Sequence, residues 1–180
     1  VAIVHRATLT PTKPEIVTAW LDRQPWGRSG EVDVIGGYRL DDPDGAVGVE
    51  SLLVRRDSSV LQVPLTYRDA PLTGAEGHLI GTAEHSVLGT RWIYEAGGDP
   101  VAVGCFLRAL AGDQEQAVVE VYDGGELVGR RDPVVRIRRV LGSASGAGDL
   151  RLAEVLGETP EGREQLVATW PDGQAVVAVR

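Results

Sequence analysis

The sequence predicts an α+β domain in which a curved antiparallel β-sheet packs on one or two helices. Three observations predict it. Two segments join a helix-start signal to apolar residues at helical spacing. The other apolar segments are short, β-branched and bounded by Asp, Gly and Pro, as strands are. Most successive strands are separated by only a few turn residues, which favours antiparallel neighbours.

Residues Val1–Arg6 alternate weakly and read as a first strand. Thr12-Lys-Pro-Glu15 then fits a capping box, with the Thr12 hydroxyl on a first-turn amide and Glu15 reaching back. Pro14 suits the first turn, where its missing N–H has no intrahelical partner. Ile16, Val17, Trp20 and Leu21 form one apolar stripe, and Pro25 with Gly27 ends the helix near Gln24. Strands follow over Val32–Leu40, Val47–Arg56 and Val60–Arg68, joined by turns at Asp41–Gly45 and Asp57–Ser59. Pro64 cannot donate to a ladder, so an edge or a bulge is expected at that point.

Glycines and Pro71 punctuate residues 69–90, which read as a long ordered loop before a short strand at Arg91–Glu95. Asp99-Pro100 opens a second helix, with Asp as N-cap and Pro at the first helical position. This helix is expected to run to Ala111. Val103, Phe106, Leu107 and Leu110 make one stripe, and Val101, Ala102, Cys105 and Ala109 make the opposite side apolar too. A helix apolar on both sides needs two covers. The second would come from elsewhere in the chain or from another subunit, which makes Val101, Cys105 and Ala109 candidate interaction residues. Gly124-Gly125 predicts a hairpin between 117–122 and 126–129. Strands are expected over 134–141, 150–156, 164–170 and 174–179, with the glycine-rich segment 142–148 as a flexible connection. The expected division is 1–122 and a C-terminal β extension, 123–180, packed on it as one globular unit.

The chain has 180 residues, 43% of them hydrophobic, which is enough for a core. Its net charge of −8 argues against nucleic acid as a partner, since phosphate binding needs a basic face. No apolar run approaches membrane-spanning length, and the first residues lack a signal-peptide layout. A lone cysteine fits a reducing compartment, so a cytoplasmic protein with no membrane partner is expected.

Site chemistry is sparse. Cys105 lies among apolar helix neighbours, where a thiol is inert. Glu76, His78, Glu84 and His85 lack zinc-ligand spacing, and surface or capping histidines are the commoner outcome. There is no Gly-x-Ser-x-Gly. No residue is assigned to catalysis, a cofactor or a metal. The exception to this blandness is Arg130-Arg-Asp-Pro-Val-Val-Arg-Ile-Arg-Arg139, with five arginines in ten residues of an acidic chain. Strand geometry puts Arg136 and Arg138 on one face, next to Arg139. They suit an anion or acidic partner, although pairing with the chain's own carboxylates is the commoner use of arginine. Trp20, Trp26, Trp92 and Trp170 are candidates for stacking on a sugar ring, against the ordinary role of tryptophan in a core.

Several linear runs resemble the N-terminal cap domain of actinobacterial maltokinases. They are His5-Arg-Ala-Thr-Leu-Thr-Pro-Thr-Lys13 with Trp20-Leu21, Leu61-Gln-Val-Pro-Leu-Thr-Tyr-Arg68 with Ala70-Pro-Leu72, and Gly81-Thr-Ala-Glu-His-Ser-Val-Leu-Gly89. Arg91-Trp-Ile-Tyr-Glu95, Asp99-Pro-Val101 and Phe106-Leu-Arg-Ala-Leu110 complete the resemblance, which covers about residues 5–122. It implies a cystatin-like arrangement for the cap portion. Enzymes of that family phosphorylate maltose at C1 with ATP and magnesium, and their cap supplies no core catalytic residue.

Phosphoryl transfer on a kinase-like fold needs a phosphate-binding lysine, a catalytic-loop Asp, and Asn and Asp on the metal. This sequence has no Asn, one lysine (Lys13) placed in a helix first turn, and no His-x-Asp. The expectation is a non-catalytic, cap-like interaction or regulatory module linked to trehalose, maltose or glycogen metabolism. Its partner would be a maltokinase or trehalose-synthase-type enzyme, or a second copy. A sugar or sugar-phosphate binding module is the alternative, and an uncharacterised enzyme the third.

Overall fold

A computed structural model describes residues 1–142, 148–158 and 161–180. Five residues of the glycine-rich connection expected over 142–148, namely 143–147, lie outside the described residues. The chain order is β1 (Ala2–His5), β2 (Leu9–Thr10), α1 (Lys13–Leu21), β3 (Asp33–Leu40), β4 (Gly48–Arg56), β5 (Ser59–Arg68), β6 (Leu79–His85) and β7 (Gly89–Glu95). There follow α2 (Pro100–Ala111), β8 (Val119–Asp123), β9 (Glu126–Arg131), β10 (Arg136–Leu141), β11 (Arg151–Leu152), β12 (Glu164–Trp170) and β13 (Gly173–Val179).

The centre is a curved, antiparallel six-stranded sheet in the order β2-β6-β7-β5-β4-β3. Alternation along the strands gives it two buried faces. Leu52, Val54, Leu61, Val63 and Leu65 meet Ile16, Val17, Trp20 and Leu21 of α1 on one face. Tyr38, Leu40, Val49 and Leu53 meet α2 and a four-stranded sheet, β10-β12-β13-β11, in a second core. A strand buried on both faces reads as a continuous apolar run. That is why β4 carries Leu52-Leu53-Val54, all at most 5% exposed.

The helix starts are chemical. Glu15 accepts from the Thr12 backbone N–H and from the Thr12 hydroxyl, both at 2.7 Å. Together these contacts close the capping box expected between Thr12 and Glu15. α1 closes at Leu21 rather than Gln24, and single turns carry the chain on through Arg23 N to Trp20 O and Gln24 N to Leu21 O. Gly27 is obligatory here, since a Cβ would stand 1.9 Å from the Leu21 carbonyl oxygen. Arg56, 3% exposed, then ties this loop to the end of β4 by donating to Asp22, Gly27 and Gly30.

At α2, Asp99 caps the Val101 N–H at 3.0 Å and Gly112 ends the helix in the left-handed region. The buried side of α2 is Ala102, Cys105, Phe106, Ala109 and Leu110, while Val103 and Leu107 are half-buried. Both covers are therefore supplied by this chain: the six-stranded sheet and the C-terminal strands.

Two stretches differ from the expectation. The second half of the predicted loop 69–90 is β6, paired with β7. A bulge between Leu79 and Gly81 spaces its buried residues, Ile80 and Ala83, three apart and hides the period of two. Segment 150–156 pairs with β13 at Arg151–Leu152, and Ala153 N donates once more to Val177 O at 2.9 Å. It then crosses to β5, where Gln62 N donates to Glu154 O at 2.9 Å and Leu156 N to Val60 O at 2.8 Å. β7 takes over that edge of β5 from Leu65 onward. Pro64, opposite Ser51 on the β4 side, falls in the gap on the other, so this central strand lacks a partner on one edge at its proline.

Gln62 seals the crossing. Fully buried, it donates to Ala153 O at 3.1 Å and Val177 O at 2.9 Å and accepts from the Tyr38 hydroxyl at 2.9 Å. The C-terminal strands share the second core with strands before residue 60. The expected division between 122 and 123 falls inside the β8–β9 hairpin.

Candidate interaction surface

The residues singled out from the sequence fall into three settings. Cys105 and Ala109 are 0% and 2% exposed, under the chain's own strands, so they cannot form a docking face. Val101 is half-buried beside them. The Cys105 thiol donates to Asp41 O at 3.4 Å, and burial pushes its pKa up, which leaves it protonated and unreactive.

The arginine run divides by face. Arg139 points toward α2, donates to the Leu110 carbonyl at the helix C-terminus and pairs with Glu164 at 3.1 Å. A cation there satisfies the helix end and its dipole. Arg130 pairs with Glu120 at 3.0 Å. Arg136 and Arg138 are exposed on β10, an edge strand, and have no ion-pair partner among the described residues. Internal pairing thus takes Arg130 and Arg139 but leaves Arg136 and Arg138 to solvent.

His85 Nδ1 accepts from Val87 N and Leu88 N at 3.2 and 3.1 Å, as a turn cap does. Its pKa is held down, first by burial and then by His5, Arg91 and Lys13. His78 Nδ1 lies 3.2 Å from Glu95.

Trp20 and Trp26 meet edge to face, 5.3 Å between centroids, on the wall of a cleft of about 530 Å³. Glu95, Asp149 and Glu154 also line it, and among the described residues no Lys, Arg or His does. Burial, then the charge of Glu95, raises the Glu154 pKa. Trp92 lies apart on β7, and Trp170 is 8% exposed in the second core. A second cleft, about 700 Å³, holds Lys13, Arg39 and Tyr67. All three converge on Glu50, at 2.6, 3.3 and 2.9 Å, and satisfy one another there.

The most exposed β-structure lies elsewhere. β1, β8 and β9 form a separate three-stranded sheet, with β1 and β8 parallel and β8 and β9 antiparallel. Gly124 and Gly125, at φ 57° and 88°, make the tight turn between β8 and β9. All six residues of β9 are exposed. Ile3, Val118, Leu127 and Val128, each about half exposed at 56%, 51%, 50% and 47%, bring apolar surface to this small sheet. The sequence marked β9 as a hairpin arm and gave no sign that its second edge would have no partner strand among the described residues.

Residues 20–99 match the family model of the maltokinase N-terminal cap domain. They run from Trp20 of α1 through β3–β7 to Asp99, the cap of α2. No curated protein and no solved structure matches the chain. No helix among the described residues is long and apolar enough to cross a membrane.

Proposed function

From the maltokinase-cap match at residues 20–99, we propose that this chain acts as a non-catalytic protein-interaction module of the cap type. The observation that carries the reading is the β1-β8-β9 sheet. It concentrates exposed apolar side chains on a strand with one open edge, which monomeric proteins usually cover or blunt. The sequence offers no lysine, asparagine and histidine set for phosphoryl transfer to set against it. On this reading its partner is a maltokinase or trehalose-synthase-type enzyme of maltose, trehalose or glycogen metabolism in the cytoplasm, a reading that the cap match at residues 20–99 supports. Co-purification with such enzymes tests this. Retention should fall at least tenfold when Leu127 and Val128 are both replaced by Ser, and unchanged retention would remove the sheet from the interface.

A second reading has its own observation. Trp26, braced edge to face by the buried Trp20 and standing beside Glu95 and Asp149, supplies an apolar ring and hydrogen-bond acceptors, the combination a neutral sugar needs. The acidic lining opposes a phosphate group. Titration with maltose is therefore expected to shift tryptophan emission, and maltose 1-phosphate to leave it unchanged. A flat maltose titration would end this reading.

A further inference from the structure

The geometry points to a second copy of this chain as an occupant of the open β9 edge, through antiparallel β9–β9 pairing about a two-fold axis. The inference rests on the reading of the small sheet as an interaction surface and names its partner. β9 pairs with β8 along one edge, and no strand pairs with the other among the described residues. Its sequence, Glu126-Leu-Val-Gly-Arg-Arg131, carries an acid at the first position, apolar residues at its centre and two cations at the end.

That order is self-complementary in one orientation only. An antiparallel two-fold centred on Val128 sets Glu126 of one copy opposite Arg130 of the other, on the same face of the joined sheet. The same contact repeats on the other side of the axis, as an isologous interface requires. Leu127 and Val128 of both copies then meet near the axis. A parallel in-register pair would stack Arg130 and Arg131 on themselves, and like charges directly opposite repel. Charges on an edge usually prevent pairing; here they forbid the parallel arrangement and suit the antiparallel one.

Arg131 has no ion-pair partner among the described residues, and Arg130, although paired with Glu120, keeps 70% of its side chain exposed. Both are available to a second chain. Joining two small sheets edge to edge would give one continuous six-stranded sheet and close the open β9 edge of each copy.

The test is a charge swap on the whole chain. Wild type should sediment as a concentration-dependent monomer–dimer equilibrium. Glu126→Arg alone should be monomeric, and so should Arg130→Glu with Arg131→Glu. Mixing these two variants should restore a dimer containing one of each, because residues 126 and 130 then carry opposite charges across both halves of the interface. Circular dichroism should show each variant folded, as the changed side chains are all exposed. A wild type that stays monomeric into the high micromolar range overturns the proposal, as does a dimer indifferent to the reversals or a mixture that fails to pair. Retention of a maltokinase-type enzyme by a wild type that never dimerises would sink self-pairing and leave the interaction reading standing. A dimer that retains no such enzyme would do the reverse.

Discussion

Replacing Asp99 by alanine is expected to lower the unfolding free energy by about 3–5 kcal/mol, the range for removing one partner of a buried ion pair. Asp99 is 0% exposed and accepts two parallel bonds from Arg68, Nε and Nη2 each at 2.7 Å. Its Oδ1 also accepts the Val101 N–H that opens α2. One carboxylate thus holds the start of α2 against the end of β5. Burial alone would raise its pKa, but the Arg68 bonds hold it below the usual carboxylate range. The alanine variant leaves a guanidinium, itself only 18% exposed in its side chain, with no counter-charge. It also loses the cap, a contribution of about 1 kcal/mol in other helices. Asp99→Asn keeps an oxygen for Val101 N but turns an amide group toward the guanidinium, so it should lose less. Urea unfolding followed by tryptophan fluorescence measures both. A loss under about 1 kcal/mol in the alanine variant would place this pair with surface pairs and refute the argument.

The parts of the fold that could be read in advance are those whose physics is local. Asp99-Pro100 announces α2 because the cap bond spans two residues. Gly124-Gly125 announces the β8–β9 hairpin because both must take positive φ. Asp42 orders the turn after β3 by accepting from the backbone N–H groups of Asp44, Ala46 and Val47. The unread parts depend on distant partners. β6 was lost because one bulged residue breaks its alternation. Segment 150–156 is apolar enough for a strand, but its choice of β5 after β13 rests on Gln62, some ninety positions earlier.

The candidate surface divides along the same line. Two apolar sides on α2 were legible, and so was the need for two covers. That the second cover would be β10, β12 and β13 was not, since no local pattern says where strands after residue 135 return. The same blindness hid β9. Its residues look like any short hairpin arm, and its open edge depends on where distant strands, among the described residues, come to lie.

Lys13 was misplaced for kinase chemistry, and its actual task sets the second large expectation. Glu50→Gln should cost about 3–5 kcal/mol near neutral pH, because it strands two cations on a buried residue. Glu50 is 9% exposed. Burial pushes its carboxyl up, but the charges of Arg39 and Lys13 and the bonds from Lys13 and Tyr67 outweigh this and bring it down to about 2. The unfolded reference is 4.5, so the folded pKa is depressed. The stability it contributes is fully present above the unfolded pKa and is lost as pH falls through the folded one. That contribution is about 3 kcal/mol, disappearing between about pH 5 and pH 2. Other depressed carboxylates, Asp99 among them, titrate in the same window, so the difference between wild type and Glu50→Gln isolates this group. The two stability curves should converge as pH falls and run parallel above about pH 5. Parallel curves throughout would mean that Glu50 titrates alike in both states. Convergence would identify the cationic wall of the larger cleft as scaffold, its charges spent on fixing the start of α1 and strands β3 and β5 to β4.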